Sequence, residues 1–255
     1  MTGAVACAQM LPDIAVEGTD VLCLPGLLDS NEIQGIFDCA RKLAGEYHRG
    51  KQLVPRGANA TATACAHDVK YGKSHVALNL HRGGAFTSIC PTLCAKLTTT
   101  MRSQPHLYIS PQIKLNLRCV EFHTCTRSAA GACAHPRGPT HALMEWRACS
   151  GAIICADTSG DGLSTQGHRD MGSILTMSVL LSEPDSVQGG TFTTCDRGDG
   201  QPWFHTVGKG DAILFHSEKM HNVVPLTEGI RHALVIELWL HEENHDGSGR
   251  GVPPC

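Results

Sequence analysis

From Ser173 to Trp239 the chain is a succession of short apolar runs, each closed by turn residues, and this pattern limits the fold more than any other feature of the sequence. Ile174 to Leu181, Gly189-Gly190-Thr191-Phe192, Asp211 to Phe215, Asn222 to Val224 and Ala233 to Trp239 read as strands. Glu183-Pro184-Asp185, Gly198-Asp199-Gly200, Gly208-Lys209-Gly210 and Glu228-Gly229 read as the turns between them. Short strands so closely punctuated build a β-sandwich or a barrel. One earlier stretch belongs with them: Ile113, Leu115, Leu117 and Cys119 alternate with Lys114, Asn116 and Arg118 ahead of Val120-Glu121-Phe122, the period of a half-buried strand.

The first part of the chain changes period. Asp29-Ser30-Asn31-Glu32 is a capping box, and Ile33, Ile36, Phe37, Ala40, Leu43, Ala44 and Tyr47 recur at helical spacing, which predicts a helix over residues 30–47. Ile89, Leu93, Leu97 and Met101 predict a second helix near residues 87–102, with Pro91 in its first turn. Residues 48–86 read mostly as loop. Residues 124–162 show no clear period and read as an insertion, poorly ordered or forming a flap over the site. The expected fold class is mainly β with N-terminal helices (α+β), the helices packed on one sheet. Residues 1–110 form a helical support region, 111–242 the β core with its insertion at 124–162, and 243–255 a disordered tail.

Composition narrows the function classes. With 21 Lys plus Arg against 24 Asp plus Glu and a net charge of -3, the chain offers no basic stripe for a nucleic acid. The first residues lack the cationic and apolar segments of a secretory signal, and no run approaches the ~18 apolar residues of a spanning helix, so the expected location is intracellular and cytoplasmic, without a membrane partner. Thirteen cysteines include no Cys-x-x-Cys pair, and only Cys90 and Cys94 sit close together, so reduced thiols are expected rather than a structural zinc site. Oligomeric state is left open by the sequence.

Within the strand-rich half stands His168-Arg169-Asp170, whose outer residues project to one face of an extended segment. His221 follows ahead of Asn222-Val223-Val224-Pro225, and Arg231 precedes an apolar strand. Two imidazoles and a carboxylate form a facial triad suited to Fe(II), with positions left open for a cosubstrate and dioxygen. Arg231 can hold a dicarboxylate through its planar fork. His-Arg-Asp also occurs in protein kinases, but Leu175 stands where that motif requires asparagine. His216 is a rival for the third ligand, disfavoured by its apolar approach and by the lack of a Gly-x-Arg at the right interval.

Taken in order, His168-x-Asp170, Gly189-Gly190-Thr191-Phe192, Gly210 to Phe215, His221-x-Val223-x-Pro225 with Gly229-x-Arg231, and Trp239 closing the last strand make the chain resemble the Fe(II)- and 2-oxoglutarate-dependent dioxygenases of the prolyl 4-hydroxylase-like branch. The resemblance covers residues 113–123 and 163–240. It implies a double-stranded β-helix (jelly-roll, cupin-like) core, with His168, Asp170 and His221 holding Fe(II) and Arg231 on the far carboxylate of 2-oxoglutarate. It also implies oxidative decarboxylation of 2-oxoglutarate to succinate, using dioxygen, coupled to hydroxylation of a peptidyl (prolyl among the options) or small-molecule substrate, with room for ascorbate as a reductant. Thr165 stands where many such enzymes place a cosubstrate-binding tyrosine, and Arg231 where some use lysine. The sequence keeps two other classes in view: a non-oxygenase metal-binding cupin-like protein and a catalytically degenerate binding module. A buried guanidinium aimed at a dicarboxylate favours the oxygenase, because a bare metal site has no use for one. If Arg231 does not serve, Arg118 or Lys114 is the alternative cation.

Overall fold

The computed structural model describes residues 18–48, 68–70, 75–104, 107, 109, 112–127, 168–195 and 202–243. Asp29 opens helix α1 (Ser30–His48), and the capping box forms as the sequence requires. Asp29 Oδ1 accepts from the amides of Asn31 and Glu32 at 2.8 Å each, and Glu32 Oε2 accepts from the Asp29 amide at 3.0 Å. The second expected helix is two: α2 (Ala85–Ile89) and α3 (Pro91–Arg102). The break falls at Cys90 (φ -125, ψ 55), because a residue before proline is pushed out of the helical region.

The strands are β1 (Leu22–Leu24), β2 (Asp68–Lys70), β3 (His75–Asn79), β4 (Asn116–Arg127), β5 (Leu175–Leu180), β6 (Val187–Gln188), β7 (Phe192–Cys195), β8 (Pro202–His205), β9 (Ala212–His216), β10 (His221–Val223) and β11 (Glu228–Trp239). The larger sheet has the order β1-β9-β5-β11-β4-β3-β2, with β6 also on β11, and the smaller has β10-β7-β8. Every pairing is antiparallel. The two sheets face each other, as Phe192 of β7 and Phe215 of β9 show with ring centroids 5.5 Å apart. This is the β-sandwich expected from the strand spacing, in the jelly-roll form that the family resemblance implies.

Alternation along the strands divides the larger sheet into an apolar outer face and a polar inner one. Val120, Phe122, Leu234, Ile236, Leu238, Met177 and Val179 form one cluster with Ile33, Ile36 and Leu43 of α1 and Leu93, Leu97 and Met101 of α3. The helices therefore cover the outer face. The inner face, between the sheets, takes His75, Asn79, Glu121, His123, Thr176, Ser178, Arg231 and Glu237, with Asn79 directly across from Glu121 and Thr176 directly across from Glu237.

Two expectations change. Within 48–86, read mostly as loop, the described residues carry β2, β3 and the start of α2, and the remainder lies outside the described residues. β4 begins at Asn116 and runs on to Arg127, so the stretch taken as an insertion begins inside a strand. Thr124 and Cys125 are held there by pairing with both β11 and β3, and Thr126 by pairing with β11. The rest of the expected insertion and the tail beyond Glu243 lie outside the described residues.

Candidate metal and cosubstrate site

His168 and His221 are brought together by a backbone bridge. The His168 amide donates to the His221 carbonyl at 2.8 Å and the reverse bond is 3.0 Å, which places both side chains on one face. Asp170 is tied by its amide to the Ser217 carbonyl at 2.9 Å, so the β9–β10 turn holds all three residues in register. One ligand atom from each of His168, Asp170 and His221 lies within 4.8 Å of the others. His168 Nε2 is 3.6 Å from Asp170 Oδ1, and His221 Nε2 is 3.4 Å from Oδ2.

The surroundings prepare these groups for a cation. Lys219 O lies 2.9 Å from His221 Nδ1, which fixes the proton there and leaves the Nε2 lone pair facing Asp170. Burial, followed for His168 by the neighbouring His221, lowers both imidazoles to about 4, so they stay neutral and able to ligate. Burial pushes Asp170 the other way, upward, because its charge is poorly compensated by the protein. A divalent ion would supply the missing positive charge, and the donor set of two imidazoles and one carboxylate fits Fe(II). Thr176 donates to Asp170 Oδ2 at 2.8 Å and keeps the carboxylate turned inward.

Arg231 reaches the same interior from β11. It is buried, and its Nε has no hydrogen-bond partner. Among the described residues no carboxylate lies within ion-pair distance of it, an arrangement that suits an incoming anion. Gly190 (φ +73) makes room for it: a Cβ there would stand 2.9 Å from Arg231 Cδ. Across the sheet from Arg231 come Cys125 and then His75. His75 Nε2 is 2.8 Å from His123 Nδ1, and His123 Nε2 is 3.1 Å from Glu121 Oε2.

His216, the rival ligand, points to the helical side, where its Nε2 bonds the Leu107 carbonyl at 2.7 Å. Arg118 is engaged by Met171, Ser173 and Glu237, and Lys114 is exposed, so neither replaces Arg231. Thr165 lies outside the described residues. Sequence reading missed His75, Glu121, His123 and Glu237. Their only signal is a polar residue recurring on one side of an otherwise apolar strand, which also describes an ordinary solvent-facing strand.

No protein-family model matches the sequence, and no curated protein is similar to it at a significant level. Solved structures do match. A 2OG-Fe(II) oxygenase family oxidoreductase from Burkholderia pseudomallei superposes over 96% of this chain and 93% of its own, at 12% identity and a TM-score of 0.50. The fold is that of the 2OG-Fe(II) oxygenases. A Trichoplax adhaerens prolyl hydroxylase, solved with a hypoxia inducible factor peptide fragment, is similar over 94% of each chain at 13% identity (TM-score 0.49). A Pseudomonas putida prolyl-4-hydroxylase is similar over 92% of this chain and 98% of its own at 14% identity (TM-score 0.43).

Proposed function

We propose that the protein is an Fe(II)- and 2-oxoglutarate-dependent dioxygenase, which decarboxylates 2-oxoglutarate to succinate and hydroxylates a peptidyl, including prolyl, or small-molecule substrate. The observation that carries this reading is the convergence of His168, Asp170 and His221 within 4.8 Å inside a jelly-roll whose interior also holds the buried Arg231. His168, Asp170 and His221 would hold the iron, which supplies oxidative chemistry with dioxygen when bound. Arg231 binds and orients the far carboxylate of the cosubstrate, and Gly190 keeps space open beside it. Thr165 remains a proposed contact to the cosubstrate, and ascorbate an optional reductant. The division into an N-terminal helical region, a core over 111–242 and a tail belongs to the same reading, as does an intracellular location. Among the described residues no helix is long and apolar enough to cross a membrane.

The test is succinate release from 2-oxoglutarate by the purified chain, with and without Fe(II), beside His221→Ala. Iron-dependent succinate that disappears in His221→Ala supports the reading. Metal binding without succinate would favour the cupin-like metal protein, and neither would favour the degenerate binding module.

A further inference from the structure

We infer that Arg118, Glu237 and Ser173 form a clamp that positions Asp170 for metal binding, an inference that rests on the metal reading above. Its foundation is a backbone irregularity. Glu237 pairs with Cys119, yet the next residue on β11, Leu238, pairs with Leu117, so Arg118 is the extra residue of a β-bulge. Regular alternation would send Arg118 outward with Val120 and Phe122 into the helix-covered core. The bulge turns it inward instead, beside Cys119 and toward Glu237.

Once turned inward, the guanidinium meets the segment that follows the metal-binding carboxylate. Arg118 Nη1 donates to the Met171 carbonyl at 2.8 Å, to Ser173 Oγ at 2.7 Å and to Glu237 Oε2 at 3.2 Å. The Ser173 hydroxyl in turn donates a hydrogen bond to Glu237 Oε2. The Ser173 amide donates to the Asp170 carbonyl at 3.2 Å, closing the turn from Asp170 to Ser173. Trp239 supports the guanidinium from below, its ring centroid 5.6 Å from Arg118 Cζ. The turn is thus tied at Met171 and Ser173 to β4 and β11, and Thr176 holds the Asp170 side chain itself. The hydrogen bonds of Arg118 go to the turn and to Glu237, and its charge also favours the ionised Asp170, so its role is positioning.

The experiment uses Co(II) as the probe on the full metal-free chain, read by its visible absorption and by titration, so that activity is not needed. Arg118→Met is expected to bind Co(II) roughly ten- to a hundredfold more weakly than wild type, with an altered Co(II) spectrum and an unchanged far-UV circular dichroism spectrum. Arg118→Lys, which restores the charge but not the three-way fork, falls between. If Arg118→Met does not fold, Ser173→Ala removes one link at almost constant volume and is expected to lose about tenfold. Wild-type affinity and spectrum in whichever of these folds overturn the clamp while leaving the metal site standing. A wild-type protein that takes up no Co(II) overturns the metal reading and the clamp with it.

Discussion

The imidazoles of His75 and His123, on neighbouring strands β3 and β4, share a hydrogen bond of 2.8 Å in the interior between the two sheets. Burial above all, then the charges of His123 and Arg231, lower His75 to about 3; Glu121 opposes this and His168 adds slightly to it. An unfolded histidine titrates near 6.5, so between about 3 and 6.5 the unfolded chain binds the extra proton. Stability is therefore full above pH 6.5 and falls as pH drops toward 3. Denaturant titrations from pH 4 to 7 should show a slope reduced in His75→Gln by up to about 1.4 kcal/mol per pH unit. An identical slope in the variant would show that His75 is not held neutral.

Asp170 gives a second contrast. Its buried carboxylate is costly without a cation, so Asp170→Asn is expected to leave the metal-free protein as stable as wild type or more so. Divalent metal at a hundred times its Kd should stabilise wild type by about 2.7 kcal/mol and Asp170→Asn not at all. Thermal melts with and without Co(II) check both halves.

Arg231 is expected to govern cosubstrate rather than iron. Removing one partner of a buried charge pair costs on the order of 3–5 kcal/mol, which weakens 2-oxoglutarate more than a hundredfold in Arg231→Ala, with Arg231→Lys between. Metal affinity should hardly change. Calorimetric titration of the metal-loaded variants with 2-oxoglutarate separates the two, and unchanged cosubstrate affinity would show that Arg231 is not its anchor.

Gly190 should report on the same pocket by a steric route. At φ +73, with a Cβ pressed to 2.9 Å from Arg231 Cδ, alanine is strained and displaces the guanidinium. Gly190→Ala is expected to cost about 1–3 kcal/mol of stability and to weaken 2-oxoglutarate while metal uptake persists.

The outer face supplies a control remote from the site. Ile236 is fully buried between β11 and the helices, and Ile236→Ala should cost about 2–5 kcal/mol in chemical denaturation. The folded fraction should bind Co(II) as wild type does.

The capping box at Asp29, the helix it opens and the strands β5, β7, β9, β10 and β11 were legible in the sequence because each is local or follows a strict period, whereas β8 was missed and the grouping of His221 with His168 and Asp170 followed from the order of motifs that the family resemblance supplies. β3 was not: His75 and Asn79 at its ends look like loop residues, and only the neighbouring β4 shows that both are buried in a polar interior. The same holds for Thr124 to Arg127, which carry no apolar alternation and are strand because β11 pairs with all four and β3 with the first two. Arg118 is the clearest case. Alternation counted from Leu115 and Leu117 puts Arg118 on the polar side, and counted from Val120 and Phe122 it puts Arg118 on the helical side. The register between β4 and β11 decides between them, because a bulge is a property of two paired strands. Local periods and short motifs thus determined the elements and the triad. The polar interior, the burial of Arg231 and the hold on Asp170 were decided by hydrogen bonds between residues far apart in the chain.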